Sequence, residues 1–335
     1  MRNQTKTTVE TAPVSSPQNA IATRVELAII IVSWNAKTFL QTCLRSIYAT
    51  MPAIDHEIWV VDNASSDGTQ EMLHDQFPEV KLICNDSNQG FARANNLAIR
   101  QCQARTLALV NSDVEVLEGC FETLRGYLDE HPEAGMVGPQ LLNPDRTVQR
   151  SCYGHPNRWN SLCHAFGLAR LFPGSAFWNG LYGKYGRQDT VQPVEVLSGC
   201  FWVLRRAALQ QVGLLDEDFF IYWEDFDYCK RMNESGWQVV YHPQARAIHY
   251  GRGSSSNAPV TFMIETERTS LHYWRKHHGR GGVLHIGALI FVRHLLRVVV
   301  AAAEYVLRPD TRAETRTKIE QSLAAIRWLL TGAKR

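Results

Sequence analysis

With 335 residues, 45% of them hydrophobic and 20% charged, the chain can bury one large α/β core or a core domain with an appended segment, and global disorder is excluded. The net charge of +2 conceals an asymmetry, because Arg268 to Arg335 carries 13 Lys/Arg against 4 Asp/Glu behind a mildly acidic body. Such a tail calls for an anionic partner, membrane lipid or nucleic acid. The eight cysteines form no CxxC pair and mostly interrupt apolar runs. They are expected to be reduced core thiols in a cytosolic protein, not a disulfide framework or a zinc site.

Residues 1–24 are rich in Thr, Gln, Ser and Pro and are expected to form a disordered leader. Order is expected to begin at Leu27-Ala28-Ile29-Ile30-Ile31-Val32, a continuous apolar run of the kind buried on both faces of a parallel sheet. A helix from Thr38 to Tyr48 follows, with Phe39, Cys43 and Ile47 spaced by four. A second strand, Glu57–Val61, ends at Asp62, and Ser65-Ser66-Asp67-Gly68 opens a helix to about His74. Then come a strand at Val80–Ile83, a helix over Gly90–Gln101 and a strand at Thr106–Val110 that ends on Asn111-Ser112-Asp113.

Strand and helix thus alternate four times, which predicts a doubly wound, mostly parallel sheet flanked by helices. The polar residues fall just past strand C-termini, where such sheets bind ligands. Residues 151–190 read as a long, aromatic, partly helical insertion. Strands resume at Val194–Leu197 and Cys200–Leu204, a helix covers Trp223–Glu234, and Val239–Tyr241 reads as a last short strand.

Four groups of residues carry chemistry suited to binding a metal, a nucleoside or a diphosphate, or to taking a proton. Asp113, at a strand end, can hold Mg²⁺ or Mn²⁺ against phosphate oxygens, although an isolated Asn-x-Asp is more often a turn or cap. Asp62 can meet a nucleobase or ribose, or can simply cap the turn before Gly68. Trp223-Glu224-Asp225-Phe226-Asp227 gathers three carboxylates among aromatic rings; crowding and desolvation raise a carboxyl pKa and suit a general base. His249 precedes a Gly/Ser loop with Arg252 and Ser254 that can close over a diphosphate.

These residues resemble the GT-A glycosyltransferases of family 2, in the branch that contains bacterial rhamnosyltransferases. The resemblance spans residues 27–256 and rests on motifs in the family's order: Val32-Ser33-Trp34-Asn35, Asp62-Asn63-x-Ser65-x-Asp67-Gly68, Asn88-x-Gly90-Phe91-x-x-x-Asn95, Asn111-Ser112-Asp113, Ser198-Gly199-Cys200, Glu224-Asp225-x-Asp227-x-Cys229-x-Arg231, Gly236-Trp237, and His249 with Ser254. It implies a GT-A catalytic domain over 25–265, with a nucleotide-binding half (25–115) and an acceptor half (116–265). Val32 to Asn35, Asp62 and Asn63 would hold the nucleoside. Asn88, Gly90, Phe91, Asn95, Asn111 and Ser112 would line the donor site. Asp113 and His249 would be the metal ligands, and Ser198, Gly199, Cys200 and Trp223 would shape the sugar and acceptor pocket. Asp225 would be the base, with Glu224 and Asp227 in support. Asn111 replaces the first carboxylate of the usual Asp-x-Asp, which leaves Asp113 and His249 to bear more of the metal. The Gln-x-x-Arg-Trp signature of processive polymerases is missing, so one sugar per acceptor is expected.

In the tail, Arg293, His294, Arg297 and Glu304 fall within roughly one third of a helical wheel over Val283–Leu307. A polar stripe against Leu, Ile and Val is expected to lie in a membrane interface, so 266–335 reads as a basic amphipathic tail. A helix packed on the protein's own core is the alternative. The expected partners are a dTDP- or UDP-sugar donor, a lipid-linked or saccharide acceptor, the inner face of the plasma membrane and a second copy of the chain, with no nucleic acid. A pyrophosphorylase or a dinucleotide oxidoreductase would need a Gly-rich loop where Ser33-Trp34-Asn35 stands. A non-catalytic protein that binds nucleotide sugar is the remaining alternative.

Overall fold

The computed structural model describes residues 25–185, 189–251 and 259–332. The expected leader, Arg252 and Ser254 lie outside the described residues. The first half alternates β1 (Leu27–Ser33), α1 (Lys37–Thr50), β2 (His56–Asp62), α2 (Thr69–Gln76), β3 (Lys81–Cys84), α3 (Phe91–Gln101) and β4 (Thr106–Asn111). It continues through β5 (Val114–Val116), α4 (Cys120–Glu130), β6 (Ala134–Leu142), β7 (Val148–Gln149) and β8 (Cys152–Tyr153). The insertion contributes α5 (Arg158–Ala165) and α6 (Leu168–Leu171). There follow β9 (Gln192–Pro193), β10 (Val196–Leu197), β11 (Phe201–Arg205), α7 (Arg206–Val212), α8 (Glu224–Glu234) and β12 (Gln238–His249). Helices α9 (Pro259–Leu307) and α10 (Arg312–Thr331) complete the chain.

The main sheet runs β3-β2-β1-β4-β11-β6-β12-β5. Its first four strands are parallel, as expected, while β11 and β5 enter antiparallel and make the second half mixed. β1 shows why the strand reads as continuous apolar sequence. Ile29 and Ile31 enter one core with Leu40 and Leu44 of α1, whereas Ala28 and Ile30 enter another with Ala94 and Ala98 of α3. Successive side chains of a strand point to opposite faces, and here both faces are covered. The strand order reverses direction between β1 and β4, and a crevice opens outside their C-terminal ends.

Two expectations are corrected. The strand foreseen at Val239–Tyr241 runs 12 residues, Gln238–His249, because β6 and β5 pair along its length around an irregularity after His242. The tail is a folded bundle, and the boundary expected at 265/266 falls inside α9. By length and composition Thr261–Leu307 is apolar enough to cross a membrane. However, Gly279 takes φ 64° and ψ −163° and splits α9 into two limbs. The limbs fold back on one another, with Glu267 of the first meeting Arg293 and His294 of the second. A left-handed residue at such a turn favours glycine.

The second limb and α10 are apolar on the outside. Ala301, Thr315, Ser322 and Ala325 are buried, whereas Leu284, Val299, Val306 and Leu307 are 76%, 58%, 72% and 77% exposed. The polar stripe foreseen over Arg293, His294, Arg297 and Glu304 turns partly inward, since His294 is buried against Glu267 and Arg297 faces Gln321 of α10.

Candidate active site

Eight stretches of the chain converge on the crevice. Their residues enclose a cavity of about 300 Å³ lined by Val32, Trp34, Asn63, Asn88, Gly90, Phe91, Asn111, Ser112, Asp113, Ser198, Gly199, Cys200, Glu224, Asp225 and His249. Fifteen residues singled out from the sequence are thus brought together. The wall also contains Phe220, Ile221, Tyr222, Gly251 and Phe262, which carried no motif signal. Phe262, from α9, faces Trp34 at 6.2 Å and Tyr222 at 6.4 Å between ring centroids.

Six expected site residues do not line the cavity. Strand alternation shows Val32 and Trp34 to it and buries Ser33 between them. Asn35, at φ 49°, instead takes Ser66 N–H on its side-chain oxygen at 2.8 Å. Asp62 is fully buried; Oδ2 accepts from Gln70 Nε2 at 2.7 Å and Ser65 N at 3.2 Å, while Oδ1 has no partner. Asn95, one turn into α3, donates to Phe91 O. Trp223 packs on Phe226 and Tyr273. Asp227 points away because two residues along a helix turn the side chain by about 200°. It is buried against Arg231, Lys276 and His277, and although burial pushes its carboxyl up, these partners hold it down to about 2.

The carboxylates of α8 reach the cavity through a strained turn. Tyr222 and Trp223 are consecutive left-handed residues at φ 65° and 68°, each at a cost of about 1–3 kcal/mol. The turn is fixed on one side by Phe91 N–H donating to Phe220 O at 2.6 Å. Gly90 makes this approach feasible: at φ 80°, a Cβ there would sit 2.3 Å from Phe220 O. Beyond the turn, Asp225 accepts from the N–H of Phe226 at 2.9 Å and of Gly199 at 3.3 Å. Burial outweighs these bonds and pushes its carboxyl up to about 6. Glu224 is raised well above the carboxylate range by burial and by the neighbouring Asp225 charge, and its Oε2 has no hydrogen-bond partner. Burial thus raises both adjacent carboxyls, Asp225 to about 6 and Glu224 well above its ordinary value.

Strand pairing builds the other end. β5 begins right after Asp113, Val114 pairs with His249 of β12, and Tyr250 N–H donates to Asp113 O at 3.0 Å. Asp113 Oδ1 and His249 Nε2 lie 3.4 Å apart. Gln149 was missed from sequence; its Oε1 meets His249 Nδ1 at 2.7 Å and its amide donates to His249 O. Burial would lower the His249 pKa, but the Cys200 sulfur and the Asp113 carboxylate raise it to about 10. One carboxylate oxygen and one imidazole nitrogen at this spacing, the imidazole fixed through its other nitrogen, are a donor pair that fits a divalent cation. Asp216, Asp218 and His272 form a separate acidic cluster, but Asp216 is engaged by Lys276 at 2.5 Å.

A crevice at the strand-order reversal, a carboxyl tuned near neutrality and a carboxylate–imidazole pair together define a nucleotide-sugar-dependent glycosyltransferase of GT-A architecture. The chain belongs to glycosyl transferase family 2, whose model matches residues 28–213. It is 27% identical over 264 residues to the N-acetylglucosaminyl-diphospho-decaprenol L-rhamnosyltransferase of Mycobacterium tuberculosis, covering 75% of this chain and 85% of that one. It is 23% identical to the dTDP-rhamnosyl transferase RfbF of Shigella flexneri, over 66% of this chain and 67% of the relative. Among solved structures, the mannosyltransferase PcManGT from Pyrobaculum calidifontis, in complex with GDP-Man and Mn²⁺, shares the fold at TM-score 0.52 and 16% identity, covering 93% of this chain and 89% of that one.

Proposed function

We propose that this chain is an inverting rhamnosyltransferase that moves one sugar from a dTDP- or UDP-linked donor to a hydroxyl of a lipid-linked saccharide used in surface polysaccharide synthesis. The observation that carries the mechanism is the different state of three neighbouring carboxyls. Glu224 is raised well above its ordinary value by burial and by the Asp225 charge, and Asp227 is ion-paired, which leaves Asp225 as the carboxylate of α8 suited to take a proton at the cavity wall. A single base suits direct displacement. Asp225 accepts the acceptor's hydroxyl proton as that oxygen bonds to the anomeric carbon, and the bond to the nucleoside diphosphate breaks on the opposite face. The sugar is inverted and the carbon passes through an oxocarbenium-like state. Asp113 and His249 would hold Mg²⁺ or Mn²⁺, which neutralises the departing diphosphate. Trp34 and Phe262 wall the cavity, with Asn63, next to the buried Asp62, as the polar side chain offered to the nucleoside at the end of β2. The relatives' names favour rhamnose on dTDP and a polyprenyl-diphosphate acceptor.

The decisive experiment is a donor screen with dTDP-rhamnose, UDP-glucose, UDP-galactose, UDP-GlcNAc and GDP-mannose, with and without EDTA, following released nucleotide. Metal-dependent release from dTDP-rhamnose supports the reading. No release from any donor, with membrane lipid extract present as acceptor, makes the chain a nucleotide-sugar-binding protein instead.

The outward apolar face of α9 and α10 and the basic excess of that segment support a peripheral position at the inner face of the plasma membrane. Co-sedimentation with phosphatidylglycerol vesicles tests it. Leu295→Glu with Val299→Glu is expected to abolish sedimentation and leave thermal stability unchanged, since both side chains are exposed.

A further inference from the structure

A second group of side chains stands between the base and the apolar surface. Tyr153, on β8, packs on Phe226 at 5.8 Å and meets Tyr182 edge-on at 5.7 Å between centroids. Its phenol is raised first by burial and then by the nearby Asp225 charge. Arg150 lies over the Tyr182 ring, 5.5 Å from the centroid, and makes no ion pair among the described residues. Arg293, from the second limb of α9, also acts on the Tyr182 phenol and is bound to Glu267. His164 packs on Tyr182 at 5.3 Å, its imidazole lowered by burial and then by Arg293 and Arg170. Arg150 thus stands on Tyr182 with Arg293 close enough to influence the phenol, beside an insertion whose Phe166, Leu171, Phe172 and Phe177 are exposed.

Along this path the chemistry runs from carboxylate base to aromatic rings, then to arginines, then to an apolar surface. A sugar carried on a lipid diphosphate presents the complementary series: hydroxyl, sugar ring, phosphates, hydrocarbon. Guanidinium groups match phosphate oxygens in a forked geometry, and an arginine with no carboxylate partner is available for them.

We propose that Arg150, over the Tyr182 ring, binds the phosphates of a lipid-diphosphate acceptor, whose sugar passes Tyr153 to reach Asp225 and whose chain runs onto the insertion. This deepens the lipid-linked acceptor reading above and rests on it.

Farnesyl diphosphate and neutral farnesol serve as probes in equilibrium dialysis, with dTDP and UDP both saturating so that the donor site is blocked. The wild type is expected to bind farnesyl diphosphate at least tenfold tighter than farnesol. Arg150→Ala should abolish that preference without changing farnesol binding, and Arg150→Lys should keep part of it. Equal affinity for the two probes, or an unchanged preference in Arg150→Ala, overturns the proposal. Phosphatidylglycerol vesicles separate an acceptor site from a general headgroup contact. Their binding should be insensitive to Arg150→Ala, and a loss matching that of farnesyl diphosphate overturns the acceptor assignment. Wild-type protein that hydrolyses donor but ignores farnesyl diphosphate refutes this site alone. Protein with no donor hydrolysis refutes the transferase reading and this inference with it.

Discussion

His277 Nε2 lies 2.8 Å from Asp227 Oδ1, so the helix that carries Glu224 and Asp225 is bolted to the first limb of the C-terminal hairpin. Lys276 adds a contact at 2.8 Å and Arg231 another at 2.8 Å, all to a carboxylate with almost no solvent exposure. Just before Glu224, the strained Trp223 rests on buried Tyr273 of the same limb. The hairpin is thus part of the active-site scaffold, whatever surface its far side meets.

Asp227→Asn is therefore expected to destabilise the fold although Asp227 does not line the cavity. Removing the charge leaves the part-buried Arg231 and Lys276 facing a neutral amide and takes the buried partner from His277, and breaking such a buried set costs up to about 3–5 kcal/mol. Thermal unfolding measures the loss. Turnover should fall with it, because the turn at Tyr222 and Trp223 loses its backing. The pH dependence has a definite sign: the carboxyl is held near 2, below its unfolded value, so this stabilisation is present above pH 4 and fades as pH falls towards 2. An Asp227→Asn protein with wild-type melting temperature at pH 7 contradicts this account.

Asp225→Asn should lower turnover by about 10²–10⁴-fold, the usual contribution of a general base, with donor binding retained. Wild-type kcat should rise with pH through about 6, where Asp225 loses its proton, and the variant should lack that limb. Stability moves the other way. A carboxyl whose folded pKa is raised holds its proton more tightly than the unfolded chain, so its contribution is lost as pH climbs from about 4 to 6. Asp225→Asn is therefore expected to melt higher than wild type at pH 8 and equally at pH 4. Melting curves at the two pH values check this independently of activity.

Much of this was legible in the sequence, and the boundary of legibility has physical causes. β1 and β4 announced themselves because parallel strands covered on both faces must be apolar throughout, and Asp113, Glu224 and Asp225 because they close such strands or cluster among rings. How Asp227 supports the site was not legible, since the contact that ties it to α9 depends on a partner 50 positions away, His277. Gln149 and Phe262 were invisible for the same reason. Each reaches the site through tertiary packing, and neither residue type carries a motif. The tail's periodicity was readable, yet Gly279 alone decides that one apolar stretch becomes two limbs, and a single glycine in a helical pattern does not say so.

Gly90→Ala tests the contact between the donor loop and the Phe220 turn. The added Cβ meets a backbone oxygen at 2.3 Å, and the residue already sits at φ 80°, so neither relaxation nor a rotamer change relieves it. Destabilisation of at least about 2 kcal/mol is expected, with a rise in donor KM as the loop bearing Asn88 withdraws. Denaturant unfolding and initial rates against donor concentration measure the two effects.

Gln149→Ala isolates the support beneath the proposed metal pair. Gln149 does not line the cavity, but it fixes the imidazole of His249 through Nδ1 and so aims Nε2 at Asp113. Losing such a partner typically costs 10–100-fold in metal affinity. EDTA-treated wild type should be inactive and regain activity on titration with Mn²⁺, and Gln149→Ala should need about 10–100-fold more Mn²⁺ to reach a similar plateau. His249→Ala should not reach that plateau at any concentration. If Gln149→Ala and wild type share one Mn²⁺ activation curve, His249 is not the ligand that Gln149 orients, and its contact with Asp113 is structural only.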